Sequence, residues 1–129
     1  MAEIEVVRTD RAPGPFQGAP YNQAIRVGDL VFVAGQLGIS LETGQLVGPG
    51  VDEQTEQIMH NLGAILEAAG STLAKLVKTT VFLMDLGDFA AMNDVYGRHV
   101  GDRPPARSTV QISGLPSGAL VEIEAVAHV

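Results

Sequence analysis

The sequence predicts an α+β fold, in which a mixed β-sheet carries two α-helices on one of its faces. Segments rich in Val, Ile, Thr and Phe alternate with two segments that have apolar residues at helical spacing. Their order along the chain is strands, helix, strand, helix and two strands, which is typical of an α+β architecture. The 129 residues are enough for one hydrophobic core, so we expect a single domain over residues 1–129.

The first third of the chain is predicted to form three strands. Ile4–Arg8 is short and apolar, which favours an edge strand. Asn22–Val27 and Leu30–Gly35 flank Gly28-Asp29, and such a two-residue connection is typical of a type II′ hairpin turn. Because Leu30–Ala34 is apolar without alternation, we expect this strand to be buried on both faces.

Two helices are predicted from apolar residues that recur every three or four positions. The first is Asp52–Ala69, with Asp52 as its N-cap and Gly70 just beyond its end. Its apolar stripe consists of Ile58, Leu62, Ile65, Leu66 and Ala69. The second helix is Asp88–His99, which presents a broad apolar face.

Three further strands are predicted at Leu76–Met84, Ala106–Ser113 and Ala119–Val129. The last two are joined by Leu115–Gly118, whose Pro and Gly positions suit a type I turn. Alternation along the final strand places Val121, Ile123, Ala125 and Ala127 on one face and Glu122, Glu124, Val126 and His128 on the other. The second face mixes polar and apolar residues, so it is either solvated or an interface with another subunit.

Composition excludes several classes of function. The 8 basic and 15 acidic residues give a net charge of −7, which disfavours nucleic acid and anionic membranes as partners. The absence of cysteine excludes disulfides, thiolate metal sites and cysteine nucleophiles, and it fits a cytoplasmic protein. The acidic start, Met1–Glu5, has no apolar segment, so we expect no targeting signal, and the longest apolar run, Leu30–Ala34, is far too short to span a membrane.

No pattern for a metal or an organic cofactor is present. The three histidines, at positions 60, 99 and 128, form neither an HxH nor an HExxH motif. The glycines of Gly44–Gly50 match no phosphate-binding loop and are interpreted as turn residues. We therefore expect neither a metal nor a cofactor.

The remaining candidates for chemistry are charged residues of the last two strands. Glu122 and Glu124 share a strand face, and Arg107 begins the preceding strand, where we expect it to lie on the same sheet face as Glu122. On this pattern alone, a cross-strand ion pair is the favoured interpretation. Tyr21 and Asn93 also have structural interpretations: Tyr21 could bond its hydroxyl to a loop backbone, and Asn93 could tie a helix to a loop.

Several segments resemble the reactive intermediate deaminase (Rid, or YjgF-like) family. Gly18–Ala24 resembles the family's GPYSQA segment, and Ala34–Gln36 is similar to its SGQ. Gln54–Gly70 resembles its QT…NL…ILEAAG helix. Further segments follow in family order and spacing: Lys78–Leu83, Asp88–Tyr96, Pro105–Arg107, Leu115–Pro116 and Val121–Ala125. The resemblance covers nearly the whole chain.

The resemblance implies a chorismate-mutase-like fold, with two helices on one sheet face and a homotrimer built around the other. It also implies hydrolysis of 2-imino acids of the 2-iminobutanoate and 2-iminopropanoate type to 2-oxo acids and ammonia, in clefts between subunits and without a cofactor. Arg107 would bind the substrate carboxylate through two parallel hydrogen bonds, and Glu122 would assist the attacking water. The other implied substrate-binding residues are Tyr21, Gly35, Asn93 and Thr109.

Three positions depart from the family pattern, and two alternatives to a deaminase remain open. Ala34 and Asn22 replace serines of the family segments, and Thr109 stands where the family often has Cys. The first alternative is a trimeric module that binds or senses small carboxylates without catalysis, for which Arg107 is needed but Glu122 is not. The second is ribonuclease or translation inhibition, a description that some relatives carry and that the acidic charge disfavours.

Overall fold

The computed structural model describes residues 3–129, which contain six strands and two helices. The strands are β1 (Ile4–Val7), β2 (Ala24–Val27), β3 (Leu30–Leu37), β4 (Leu76–Leu83), β5 (Ala106–Gln111) and β6 (Val121–His128). The helices are α1 (Val51–Ala68) and α2 (Phe89–Val100). All eight elements agree with the prediction, and their ends differ from the predicted ones by at most two residues.

The strands form one mixed sheet in the order β1-β2-β3-β6-β4-β5. All neighbouring pairs are antiparallel except β4 and β5, which are parallel and are connected through α2. A parallel pair requires such a crossover, because a tight turn can join only antiparallel strands. β1 lies at one edge of the sheet, as predicted, and β5 lies at the other.

Both helices pack on the same face of the sheet, which we call the helix face. The predicted stripe of α1 is buried there, with Ile58, Leu62, Ile65 and Leu66 fully inaccessible. These residues pack against the inward-pointing side chains of the central strands, among them Val31, Val81, Ile123 and Ala127. Among residues 3–129, no helix is both long and apolar enough to cross a membrane.

The other face, which we call the open face, corrects one prediction. Along β3, Val31 and Val33 are buried, whereas Leu30 is 41 % and Phe32 46 % exposed. The expected burial on both faces is therefore wrong, because the helices cover only one side and the whole strand alternates between them. An apolar residue in an uncovered position is consistent with an interface.

The start of α1 corrects a second prediction. Its N-cap is Gly50, in extended conformation, and Asp52 is the second residue of the helix. The Glu53 carboxylate accepts the Gly50 N–H at 2.9 Å, which satisfies the amide at the cap and lets the helix begin one residue early. Gly70 follows the helix with φ of +84°, as its predicted position requires.

The connection before β6 corrects a third prediction, the type of its turn. The Ala119 N–H donates to the Pro116 carbonyl at 3.1 Å, and the two residues between them, Ser117 and Gly118, have φ of +60° and +74°. Two positive φ angles define a type I′ turn instead of the predicted type I.

The turn between β2 and β3 agrees with its prediction. Gly28 has φ of +58° and Asp29 does not have a positive φ, as a type II′ turn requires.

Candidate active site

The strand register separates the two charged residues that the sequence had placed together. Arg107 lies opposite Thr79 of β4, whose own partner on β6 is Ala125, and this row faces the helices. Glu122 lies opposite Phe82, in the alternate row that points to the open face. The prediction that Arg107 and Glu122 share a sheet face is therefore wrong. A change of register by one residue exchanges the two faces, and sequence alone does not fix the register of the parallel β4–β5 pair.

Arg107 lies over a row of side chains on α2 that we call the arginine slot. The slot consists of Phe89, Asn93 and Tyr96, which share a helix face because they are four and three residues apart. The guanidinium carbon of Arg107 is 4.9 Å from the centroid of the Tyr96 ring and 5.5 Å from that of Phe89. Both distances are within cation–π range, so the two rings hold the guanidinium.

The guanidinium of Arg107 has no anionic partner within residues 3–129. The ion pairs in this part of the chain involve Arg11, His60 and His99, and neither Glu122 nor Glu124 takes part in one. The cross-strand ion pair favoured on pattern alone is therefore wrong. A planar cation held by aromatic rings retains its hydrogen-bond donors, and these fit a carboxylate.

Asn93 and Thr109 lie on the same side of the sheet as Arg107. The Oδ1 atom of Asn93 is buried and accepts no hydrogen bond from the described residues, so the interpretation that Asn93 ties its helix to a loop is wrong. Thr109 is half-buried, two residues after Arg107 on β5, and therefore points to the same face. A buried amide oxygen without a partner is rare and marks a place where a ligand or water can bind.

Glu122 borders a separate cavity that we call the glutamate pocket. Its volume is about 70 Å³, and it includes two other predicted substrate-binding residues, Tyr21 and Gly35. The rest of its wall is mostly apolar: Pro13, Gly14, Phe16, Gln36, Leu37, Ile39 and Pro116. The two regions thus divide the predicted site residues, with Arg107, Asn93 and Thr109 in one and Glu122, Gly35 and Tyr21 in the other.

A β-bulge brings Gly35 against Glu122. Between Val33 and Gln36, two residues of β3 face the single residue Glu124 of β6. A Cβ atom on Gly35 would lie 2.8 Å from the Glu122 Cδ atom, which is closer than side chains approach each other. Glycine at this position therefore allows the Glu122 carboxyl group to lie against the backbone of β3.

Tyr21 closes the glutamate pocket on the side of the amino-terminal loop. Its hydroxyl oxygen accepts a hydrogen bond from the Phe16 N–H at 2.6 Å, which confirms the predicted bond to a loop backbone. The hydroxyl proton remains free to donate to a ligand. A larger groove of about 660 Å³ runs along the same loop and shares Tyr21 with the pocket, but it contains none of the other predicted site residues.

The surroundings of Glu122 change its acidity. Burial raises the pKa of the Glu122 carboxyl above its ordinary value, and the negative charge of nearby Glu124 raises it further. Glu122 forms no ion pair with residues 3–129 that would oppose this shift. A carboxylate with a raised pKa is a stronger base, which suits it to remove a proton from water.

Two of the histidines, His60 and His99, contact a glutamate of α1. Glu56 of α1 contacts His60 Nε2 at 2.7 Å and His99 Nε2 of α2 at 2.9 Å, so this cluster links the two helices. Its hydrogen bond with His99 lowers the pKa of the Glu56 carboxyl. Within residues 3–129, no group of three or more potential ligands is arranged to hold a metal ion.

Sequence reasoning missed several residues that shape the two regions. Phe89 and Tyr96 lie in the helix predicted over Asp88–His99, and Pro116 lies in the turn predicted over Leu115–Gly118, but the sequence analysis assigned none of them to a site. Their signals were present in the spacing of Phe89, Asn93 and Tyr96 on one helix face and in the proline- and glycine-rich turns. Neither signal shows which strand or pocket the residues contact.

Comparisons with known proteins agree with this architecture. The family described as Endoribonuclease L-PSP matches residues 11–129. A RutC family protein of Pyrococcus abyssi is 49 % identical and covers 96 % of both chains. A human protein named 2-iminobutanoate/2-iminopropanoate deaminase is 43 % identical, over 95 % of this chain and 88 % of its own.

Solved structures show the same fold. RidA from the Antarctic bacterium Psychrobacter sp. PAMC 21119 superposes with a TM-score of 0.91 and 42 % identity, over 97 % of this chain and 99 % of its own. Escherichia coli TdcF with bound serine superposes with a TM-score of 0.89 and 37 % identity, over 97 % of this chain and 98 % of its own. The architecture is the chorismate-mutase-like fold. By sequence and by structure, the chain belongs to the YjgF-like reactive intermediate deaminase (Rid) family.

Proposed function

We propose that the protein hydrolyses 2-imino acids of the 2-iminobutanoate and 2-iminopropanoate type to 2-oxo acids and ammonia. Two observations together carry the proposal: a guanidinium without an anionic partner among residues 3–129 and, on the other sheet face, a partly buried carboxyl with a raised pKa. The first fits the carboxylate of an imino acid, and the second fits the activation of water. The human relative that carries the deaminase name supports the same reaction.

The reaction needs a held substrate, a placed water and two proton transfers. Arg107 binds the carboxylate with two parallel hydrogen bonds, while Asn93 and Thr109 contact the substrate beside it. Glu122 takes a proton from the water as the water oxygen bonds to the imine carbon, and it returns this proton to the nitrogen to give an amino alcohol. A second proton then passes from the new hydroxyl group to the nitrogen as the C–N bond breaks, which leaves ammonia and the 2-oxo acid. Backbone groups at Gly35 bond the imine nitrogen, and the Tyr21 hydroxyl donates to the ligand from the loop. All these roles are proposals for the named residues.

We further propose that each site forms between neighbouring subunits of a homotrimer. Within one chain, the arginine slot and Glu122 lie on opposite faces of the sheet, so one copy cannot bring both to the same small substrate. A neighbouring copy could present its Arg107 edge to the open face that bears Glu122. The exposed apolar residues of that face, including Phe32 and Leu30, support an interface there.

Mixing two inactive variants tests the shared site. Arg107→Ala and Glu122→Gln chains are unfolded together and refolded as mixed oligomers. If each site takes its arginine and its glutamate from different subunits, about a quarter of the sites in a random equal mixture regain both residues. If one subunit supplied both residues, no activity would return, and the shared site would be excluded. Light scattering of the wild type tests the trimer itself.

A coupled assay tests the activity. A threonine dehydratase or an amino-acid oxidase generates imines in situ, and semicarbazide traps the part that is not hydrolysed. We expect the protein to reduce the trapped imine and speed the release of 2-oxo acid. An Arg103→Ala variant is the matched control for Arg107→Ala. Arg103 is an exposed arginine shortly before β5, and its guanidinium donates a hydrogen bond to the Ala74 carbonyl. Wild-type protein that changes neither quantity contradicts the proposed reaction.

The second candidate is a binding module for small carboxylates. It is favoured by the free guanidinium and by the relative from Escherichia coli whose structure contains serine. In an enzyme, Glu122→Gln removes turnover and retains ligand binding, whereas a binding module has no turnover to lose.

Ribonuclease activity, which the description of the family names, is disfavoured by the net charge of −7, and we expect no RNA cleavage that depends on Arg107.

A further inference from the structure

We propose that Tyr96 is a positioning residue for Arg107: its ring, with that of Phe89, holds the guanidinium in the orientation that binds a substrate carboxylate. The proposal rests on the imine hydrolysis proposed above. Tyr96 is buried and has no step in the proposed reaction. Its effect on the substrate is exerted only through Arg107.

The two rings of the arginine slot lie seven residues apart on α2, so they point to the same side of the helix. The Arg107 guanidinium carbon lies 4.9 Å from the Tyr96 centroid and 5.5 Å from the Phe89 centroid. Contact with two aromatic faces restricts an arginine more than contact with one. It also leaves the N–H groups at the edge of the guanidinium plane available.

The Tyr96 ring is itself fixed to the strand beside Arg107. Tyr96 is 4 % exposed and Thr79 is 1 % exposed, and the Tyr96 hydroxyl lies 2.6 Å from Thr79 Oγ1. Thr79 is the register partner of Arg107 across β4 and β5. Burial raises the pKa of the Tyr96 hydroxyl, which favours its protonated, hydrogen-bonding form. The hydrogen bond therefore persists and ties helix, strand and arginine together.

In the part of the chain that the structure describes, no ion pair orders the Arg107 side chain, so it relies on the two rings. It projects from β5, which is the edge strand of the sheet, and it forms no ion pair within residues 3–129. An arginine side chain that is free in the unbound protein must lose its rotamer freedom when a ligand binds, which weakens binding. An arginine already held by two rings loses less rotamer freedom when the ligand binds.

This role predicts a specific kinetic pattern. Tyr96→Leu removes the ring and should raise KM about tenfold, or about 1.4 kcal/mol, while kcat changes less than about threefold because Tyr96 acts through Arg107, to which the proposed reaction assigns carboxylate binding and no proton transfer. Tyr96→Phe keeps the ring and loses the hydroxyl that bonds to Thr79, so KM should rise about two- to threefold. Thr79→Val should have the same effect, and the double variant should be no worse than either single one, because both remove one hydrogen bond.

A matched control separates positioning from loss of stability. Thr55 is also fully buried, and its hydroxyl donates to the Val51 carbonyl at 2.7 Å within α1. Thr55→Val therefore makes the same chemical change away from the slot and should leave KM unchanged. If Tyr96→Phe and Thr79→Val raised KM no more than Thr55→Val does, the positioning role would be excluded. These two variants retain the ring or the side-chain volume, so they test the role even if Tyr96→Leu does not fold.

Two measurements without turnover keep this proposal distinct from the proposed function. The first is the dissociation constant of 2-oxobutanoate, a stable carboxylate, which should rise about tenfold in Tyr96→Leu. The second is the NMR resonance of the Arg107 Nε–Hε group, which the two ring currents should displace in the wild type and less so in Tyr96→Leu. A wild type that binds 2-oxobutanoate through Arg107 but hydrolyses no imine contradicts the proposed function alone. Unchanged 2-oxobutanoate affinity and an unchanged resonance in Tyr96→Leu would overturn the role of Tyr96.

Discussion

The arginine slot and the glutamate pocket are built in opposite ways. The slot lies on a helix that packs against the strand of Arg107, which is held by cation–π contacts with the two rings, and the Tyr96 ring is held by its buried hydrogen bond with Thr79. The pocket is assembled from a β-bulge at Gly35, the loop that carries Tyr21, and the turn at Pro116. Regular elements thus hold the group that we assign to binding, and irregular backbone surrounds the group that we assign to water activation. The two regions should therefore respond differently to substitution.

The largest effect is expected in the arginine slot. Arg107→Ala removes a charge-assisted contact with the substrate carboxylate, so it should cost about 2–5 kcal/mol of binding and lower kcat/KM by more than tenfold. Arg107→Lys should recover little, since a point charge does not reproduce two parallel hydrogen bonds. Steady-state kinetics and binding of 2-oxobutanoate by calorimetry measure the effect.

The fold should tolerate this change, because Arg107 projects from an edge strand instead of the core. Circular dichroism and light scattering of Arg107→Ala should match those of the wild type. A variant that keeps its assembly and wild-type imine hydrolysis would end the assignment of Arg107 to the substrate.

The glutamate pocket should affect turnover rather than binding. Glu122→Gln keeps the shape of the side chain but removes the base, so kcat should fall about 10²- to 10⁴-fold while the affinity for 2-oxobutanoate changes less than threefold. Glu42→Gln, in an exposed turn, controls for the loss of one negative charge and should keep kcat. If Glu122→Gln instead weakened binding as strongly as Arg107→Ala, the division of roles between the two regions would be wrong.

The same contrast explains what the sequence could predict. The helices and strands follow from local spacing, such as the buried Ile58–Leu66 stripe, because each pattern is set by residues close in the chain. The placement of Arg107 depends on the register between β4 and β5, which no local pattern determines, so the shared face with Glu122 was predicted wrongly. Glu122 was a candidate from strand alternation, whereas Gly35 was predicted from the family resemblance alone, since the bulge there leaves no periodic signal.

Gly35 offers a smaller and more local test of the pocket. A methyl group at this position would lie 2.8 Å from Glu122 Cδ, so Gly35→Ala should push the carboxyl group aside. The Glu122 side chain is flexible, so it should absorb the strain by moving. We expect kcat to fall about tenfold, as is typical when a reacting group is displaced by part of an ångström or more, with little change in KM. Gly63→Ala is the control, because its added methyl group would meet Leu73 at an ordinary 3.6 Å. Equal kcat values in the two variants would show that the close approach has no catalytic consequence.

The smallest expected effect is on stability, and it too belongs to the pocket. Burial and Glu124 raise the pKa of Glu122 in the folded chain above its ordinary, unfolded value. The folded protein therefore binds this proton more tightly than the unfolded chain does, and wild-type stability should fall as pH rises through the interval between the two pKa values. Glu122→Gln has no such proton, so its Tm should exceed that of the wild type at neutral pH. The gain should be on the order of 1 °C, because solvent screens a half-exposed group, and it should vanish below the ordinary pKa of a glutamate. Thermal melts of both proteins from pH 3 to pH 8, with Glu42→Gln as the control for net charge, measure the difference. A gain that persists unchanged at the acid end would mean that packing of the amide, rather than the buried charge, stabilises the variant.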